Sequence, residues 1–213
     1  MHKKNHVIRL SRYRHALIRL KALNFIKVFS DNLADAIGVS AAQVRKDFSV
    51  FGISGNKRGG YEVDDLIKKL NAILNKDKIH KFIEVGAGNL GKALIRYPGF
   101  TKSGIKIVAA FELDAAKYDR EAEIPVLPME ELHSFVKNNN IKYGIISAPD
   151  HAAQQVLVRM LAAGIKGVLN FAPVFLKGPE GCIVNNINLE LEIENMIYFV
   201  NIAEKEVEVE GLG

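Results

Sequence analysis

A chain of 213 residues, 48% hydrophobic and 25% charged, can bury one sizeable core or two small ones. It holds no run of about 18 uncharged apolar residues, no signal-like apolar block after Met1-His2-Lys3-Lys4, no Cys/His cluster with metal-ligand spacing and a single cysteine, Cys182; a cytoplasmic protein without membrane span, metal or internal disulfide is expected, with Cys182 as a small buried hydrophobe. Charge is unevenly spread: residues 1–62 carry twelve Lys/Arg against four acids, a net +8, and the remaining 151 carry −3, so only the front of the chain is suited to a polyanion.

From Val7 to Leu23, the residues Leu10, Tyr13, Leu17 and Leu20 recur at three- and four-residue steps and form one stripe of an amphipathic helix, with Arg12, Arg14 and Arg19 off that stripe. Ser30 is placed to cap a short helix holding Leu33, Ala34 and Ile37, which Gly38 ends in the left-handed region. Ser40 caps the next helix, where Val44, Phe48 and Phe51 point inward and Gln43, Arg45, Lys46 and Ser49 lie outward or at the margin. This is a helix-turn-helix. From Ile53 to Val63, turn-forming Gly and Asn mix with Ile, Tyr and Val, which predicts a hairpin with Lys57 and Arg58 at its tip. Asp64 is expected to cap a helix through Leu66, Ile67, Leu70 and Ile73, and the polar stretch Asn75–Lys78 reads as a linker. The first domain is thus residues 1–78, a winged helix.

From Lys81 the texture becomes short apolar strands alternating with amphipathic helices, with strands at 82–85, 105–111, 143–147 and 167–169 and helices at 90–97, 129–138 and 151–163. Such alternation specifies an α/β domain with a parallel sheet, assigned to residues 79–187. Residues 188–202 form a further apolar helix (Leu189, Ile193, Met196, Ile197, Val200), opening a C-terminal segment 188–213.

The sharper motif is Gly86-Ala87-Gly88-Asn89-Leu90-Gly91, directly after a strand and opening a helix. In a Rossmann fold the first glycine makes the tight turn, the second admits a diphosphate to the backbone, and the third lets helix and strand pack closely. Glu112, at the end of the next strand, stands where a carboxylate meets the adenosine ribose, which favours NAD over NADP; Asp114 is a second candidate, and Lys117 and Arg120 keep NADP open. In the helix-turn-helix, Gln43 and Lys46 suit a groove-facing role, and Arg45 a phosphate contact or a place along the helix. Ser40, Ser49, Lys57, Arg58, Gly60 and Tyr61 complete the expected DNA surface, while Asp47 orients a neighbouring basic residue. The rival reading is an NAD(P)-dependent oxidoreductase with a fused basic domain. It lacks a Tyr-x-x-x-Lys pair or a His/Asp relay, and His151 reads as a first-turn helix residue beside the cofactor; no catalytic residue is assigned.

Over nearly its whole length the chain resembles the Rex family of redox-sensing repressors, through Gln43–Phe48 with Phe51-Gly52, Gly60-Tyr61, Gly86–Gly91, Tyr97–Phe100 and the block Ala163–Pro173. The resemblance implies a homodimer whose C-terminal helix crosses to the partner subunit, binding to a palindromic operator in double-stranded DNA, and release of that operator when NADH accumulates. It also places Ser147-Ala148-Pro149, Tyr97 and Asn170–Pro173 near the nicotinamide or the dimer seam. Two features depart from the family. His15 and Asn188 stand where an arginine and an aspartate usually pair, and Lys57-Arg58 replaces Arg-Gly in the wing. The first departure leaves open which nicotinamide form releases DNA.

Overall fold

The computed structural model describes residues 2–56 and 59–210, with side chains from residue 5 to 204; Lys57 and Arg58, expected at the wing tip, lie outside the described residues. Its contacts divide the chain into two units that meet in sequence between Ile79 and His80.

The first unit runs α1 (His2–Ala22), β1 (Lys27–Val28), α2 (Ser30–Ile37), α3 (Ala41–Val50), β2 (Tyr61–Glu62) and α4 (Val63–Ile73). The apolar stripe of α1 is buried: Leu10, Tyr13 and Leu17 have no exposed surface and pack with Leu33, Val44, Phe48, Leu66 and Leu70. Phe48 sits edge-on to the rings of Tyr13 and Tyr61, each 5.3 Å away, so α3 is anchored from both sides. Gly38 ends α2 with φ +72°, and the Ser40 hydroxyl accepts from the Gln43 N–H at 3.1 Å, capping α3.

Three local expectations are corrected. The residue capping α2 is Phe29, whose N–H donates to Asn32 Oδ1 at 2.8 Å; Ser30 is already helical. The helix α4 starts after Glu62, leaving Asp64 in its first turn beside the unpaired N–H groups. In the wing the strand Tyr61–Glu62 takes its partner from outside the 53–63 segment, pairing antiparallel with Val28 and Lys27; within that segment the described residues Asn56 and Gly60 form an antiparallel bridge, as a hairpin requires. Arg14 is not on the solvent face of α1: it is buried, and its Nε donates to Asn71 Oδ1 of α4 at 2.5 Å.

The second unit holds β3 (His80–Val85), α5 (Asn89–Ile95), α6 (Pro98–Lys102), β4 (Ile105–Glu112), β5 (Val126–Pro128), α7 (Leu132–Asn138), β6 (Tyr143–Ile146), α8 (Asp150–Ala163), β7 (Gly167–Asn170), β8 (Ile183–Asn186) and α9 (Leu189–Glu210). All six strands are parallel, in the order β5-β4-β3-β6-β7-β8. The chain builds outward from β3 to β5, then returns to β6 beside β3 and builds the other way. The direction therefore reverses between β3 and β6, the position at which doubly wound sheets open a crevice at their carboxyl ends. The four expected strands are present; β5 and β8, at the two edges, were not foreseen. Each is short, and β5 ends in Pro128, which an edge tolerates and a central strand does not.

Asn188 lies just before α9, its Oδ1 accepting from the Leu191 N–H at 3.1 Å. Leu189, Ile193, Met196, Ile197 and Val200 along α9 are each at least half exposed.

Truncating the ring that fixes α3, Phe48→Ala, is expected to cost roughly 3–5 kcal/mol, the usual loss for a buried aromatic. Urea unfolding of the variant checks this; a change below about 1 kcal/mol would contradict the packing described.

Candidate functional site

The carboxyl ends of β3, β4 and β6 meet around one turn. The Gly86 N–H donates to the Phe111 carbonyl and the Ser147 N–H to the Val85 carbonyl, each at 2.9 Å, so the strand ends continue as a stitched layer. Gly86 has φ +114°, and a Cβ there would come within 2.8 Å of the Ser147 carbonyl, a double reason for glycine. A Cβ on Gly91, in the first turn of α5, would overlap the Gly86 carbonyl oxygen and lie 2.8 Å from Ser147 Oγ. Gly88 differs: its backbone is ordinary extended chain, and a Cβ there would meet nothing within 4 Å. Two glycines are thus required for packing, and the third leaves space in front of the α5 N-terminus.

Glu112 ends β4 and fastens the turn. Its Oε2 accepts from the Ala87 N–H at 2.9 Å, and its Oε1 from the Leu113 and Asp114 N–H groups at 2.8 and 3.2 Å, with Lys117 Nζ 3.4 Å from Oε2. Burial alone would raise its pKa. The three backbone donors and the Lys117 charge outweigh burial and hold the carboxyl below its usual range, so it is ionised with lone pairs to spare.

These elements line a cleft of about 500 Å³. Of the expected residues, Gly86, Gly88, Asn89, Leu90, Glu112, Ser147, Ala148, Pro149 and His151 reach it, together with Lys117, Phe171 and Pro173. Four others stand apart. The Ala87 N–H is turned to Glu112, Gly91 is packed beneath the turn, Asp114 accepts from the Ala116 N–H at 3.0 Å, and Tyr97 is exposed with its ring against Phe100. Asn170 is buried and acts on the backbone: its Oδ1 accepts from the Ala172 N–H and its Nδ2 donates to the Val174 carbonyl and to Asn186 Oδ1. This latch shapes the segment that carries Phe171 and Pro173 to the cleft.

The second candidate surface is α3. Arg45, Lys46 and Ser49 are exposed along it, and neither Arg45 nor Lys46 forms an ion pair with a described residue. Behind them Asp47 is fully enclosed. It accepts from Arg9 Nε and Nη2 at 2.6 and 2.7 Å, from Gln43 Nε2 at 2.7 Å and from the Tyr13 hydroxyl at 3.0 Å, and His6 Nδ1 lies 2.7 Å away. A carboxylate only accepts, so Gln43 must turn its amide nitrogen inward, leaving its carbonyl oxygen as the outer end. Burial would raise the Asp47 pKa, but the bonds from Arg9, His6, Gln43 and Tyr13 bring it down to about 2. Gly60 has φ +66°, and a Cβ there would meet the Val28 carbonyl oxygen at 2.5 Å; Tyr61 beside it packs on Phe48.

Two family models match the chain, "CoA binding domain" over residues 77–174 and "Putative DNA-binding protein N-terminus" over 4–49. The redox-sensing transcriptional repressor Rex of Desulforamulus reducens is 40% identical over 93% of this chain and 95% of its own length. The chain belongs to the Rex family. The Rex of Clostridioides difficile is 38% identical over 90% of this chain and 92% of its own length. Among solved structures, RSP in complex with β-NAD+ and operator DNA matches with a TM-score of 0.89 at 32% identity, covering 98% of this chain and 96% of that one. RSP in complex with β-NADH matches with a TM-score of 0.85 at 32% identity, covering 96% and 97%.

As a Rex protein the chain is a transcriptional repressor and not an enzyme, which sets the oxidoreductase reading aside. Among the described residues, no group of His, Cys, Asp and Glu could hold a metal and no helix is long and apolar enough to cross a membrane. His15, which the resemblance to Rex proteins sets in place of an arginine, has its pKa lowered by burial and by the neighbouring Arg14, Lys76 and Arg19 charges. Asn188 is uncharged, and its side chain accepts from the first turn of α9. The sequence shows the Asp47 cluster only in outline, because three of its partners, Tyr13, Arg9 and His6, lie 34 to 41 residues away in α1.

The Asp47 linkage has a definite sign. Its folded pKa lies below the ordinary 3.8, so the stability it contributes is fully present above about pH 4 and lost as pH falls toward 2. Asp47→Ala is expected to destabilise the protein by about 1–3 kcal/mol at pH 7 by stranding its donors, with the difference shrinking between pH 4 and 2. Urea unfolding at a series of pH values measures this; a difference independent of pH would contradict it.

Proposed function

We propose that this Rex protein is a homodimeric repressor that holds a palindromic operator in double-stranded DNA through α3 and the wing, senses the NADH/NAD+ ratio in the Gly86–Gly91 cleft, and releases the operator when NADH binds. The observation that carries the reading is the cleft itself: a three-glycine turn at the sheet's switch point, its strand-end carboxylate ionised, in front of a helix N-terminus. Support comes from RSP, whose structures include one with β-NAD+ and operator DNA and one with β-NADH.

The dinucleotide would lay its diphosphate over Gly88 and the free N–H groups of α5, with an adenosine ribose hydroxyl on Glu112. Ser147, Ala148, Pro149 and His151, with Phe171 and Pro173, would receive the nicotinamide half. When bound, the cofactor offers a ring that differs between its two forms by one hydride and one charge. Only contacts at that ring can give the two forms different affinities, and only differential affinity can move the DNA-binding equilibrium. On the DNA side, Ser40, Gln43 and Lys46 would approach base edges or adjoining phosphates, Arg45 and Ser49 the backbone, and Lys57 and Arg58 the groove beside the wing, with Gly60 and Tyr61 shaping its base. Such a repressor works where bacterial DNA lies, in the cytoplasm.

Dimer formation rests on α9. A helix of 22 residues with exposed Ile193, Met196, Ile197, Tyr198, Phe199 and Val200 is costly to leave in water, and a second copy offers the matching apolar surface. Ile193→Lys with Ile197→Lys is expected to convert a dimer into monomers in sedimentation velocity and to abolish tight binding of a two-half-site operator. A dimer of unchanged stability would remove α9 from the interface.

For the switch, fluorescence anisotropy of a labelled Rex operator is expected to report binding by the protein alone and with NAD+, and release with NADH. Lys46→Ala is expected to weaken binding and lower the salt slope by about 0.9, the value of one phosphate contact. Retention of DNA at saturating NADH would contradict the proposed direction of the response.

A further inference from the structure

Glu84 lies on the central strand β3, two residues before Gly86, with no exposed surface. Its Oε1 is 2.6 Å from Ser147 Oγ, and its Oε2 has no hydrogen-bond partner among the described residues. The same Ser147 Oγ lies 3.0 Å from the Gly86 carbonyl oxygen and within 2.8 Å of where a Cβ on Gly91 would stand. A carboxyl, a hydroxyl and the carbonyl of the glycine turn thus form one short chain beneath the cleft.

The hydrogens in this chain can be counted. Ser147 carries one hydroxyl hydrogen, and the Gly86 carbonyl can only accept. If Glu84 is ionised it also can only accept, so one of the two contacts on Ser147 Oγ is left without a hydrogen. A buried negative charge would then stand one hydroxyl away from the turn that is to receive a diphosphate. If Glu84 is protonated, its O–H donates to Ser147 Oγ, Ser147 donates to Gly86, and both contacts are made. We propose that Glu84 is a proton-bearing positioning residue of the dinucleotide turn, which in its neutral form sets the Ser147 hydroxyl so as to hold the Gly86 carbonyl, and which loosens the turn when it ionises. The inference rests on the reading of the cleft as a dinucleotide site.

The surroundings favour the neutral form. Burial raises the Glu84 pKa to about 8, against the opposing pull of the Ser147 hydroxyl. Burial and the Ser147 hydroxyl are the two causes of the shift, and the titratable groups of the adjoining elements, Lys81 on β3, Lys106 and Glu112 on β4, Tyr143 on β6 and Lys92 on α5, are not among them. Glu84 and Glu112 thus sit on adjacent strands below one turn in opposite states, one neutral and enclosed, the other ionised by three backbone donors.

The test is the pH dependence of NADH affinity, read by nucleotide fluorescence with the full chain from pH 6.5 to 9.5. The wild type is expected to bind with constant affinity below about pH 8 and to weaken above it, by up to about tenfold per pH unit for one linked proton. Glu84→Gln keeps a donor toward Ser147 and cannot ionise, so its affinity is expected to be independent of pH over this range. Ser147→Ala, which breaks the chain of contacts but leaves the carboxyl able to ionise, is expected to bind NADH more weakly at pH 7 and to show a smaller pH dependence than the wild type. Parallel profiles for wild type and Glu84→Gln would overturn the proposal while leaving the dinucleotide reading in place. Absence of NADH binding by the wild type at pH 7 would overturn that reading, and this inference with it.

Discussion

The close approach of Gly91 to the Gly86 carbonyl is the constraint on which the rest of the second unit depends. A helix can begin this near the end of a central strand only if no side chain intervenes, and at Gly91 even a methyl group would overlap the carbonyl oxygen. That contact sets α5 with its N-terminal N–H groups at the carboxyl end of the sheet, where strand order reverses. Glu112 and Ser147 fasten the turn from the flanking strands β4 and β6. The cleft is therefore a property of backbone geometry more than of any reactive side chain, consistent with a regulator that binds a cofactor without transforming it.

The first unit meets a similar demand by different means. Its helix α3 presents exposed cations and polar groups on one side, and desolvated neighbours on the other hold it in place. Asp47 does this from inside, drawing Arg9, Gln43, His6 and Tyr13 onto one carboxylate, while Phe48 one residue later fills the core between two aromatic rings. Adjacent residues on α3 thus join its two faces, one polar and one apolar, to the long helix α1. Loss of either leaves the exposed residues Arg45 and Lys46 in place chemically but no longer fixed in direction.

Much of this was legible in the residues, and the illegible parts share a physical reason. Strong periodicity marked α1, α4, α8 and the central strands, because burial on one face or both leaves a pattern within a single element. The glycine turn and Glu112 were legible because their spacing is set by one β-α-β unit. Edge strands β5 and β8 are only three and four residues long, so they carry little pattern. The wing's ladder joins Val28 to Tyr61, and the Asp47 cluster joins α1 to α3; such pairings depend on which surfaces meet, which no local window contains. Arg14 was misplaced for the same reason, since its partner Asn71 lies 57 residues away. Glu84 carries an acidic side chain in a strand buried on both sides, a local conflict of the kind that functional positions tolerate.

The central claim is that the open space at Gly88 is where a diphosphate lies. Gly88 has an ordinary backbone conformation and no neighbour in reach of a Cβ, so Gly88→Val fills the space with little cost to the fold. Calorimetric titration of NADH into this variant, alongside its thermal unfolding, is the direct measurement. The account predicts an unchanged unfolding midpoint and no detectable NADH binding; wild-type NADH affinity in a folded Gly88→Val protein would contradict it.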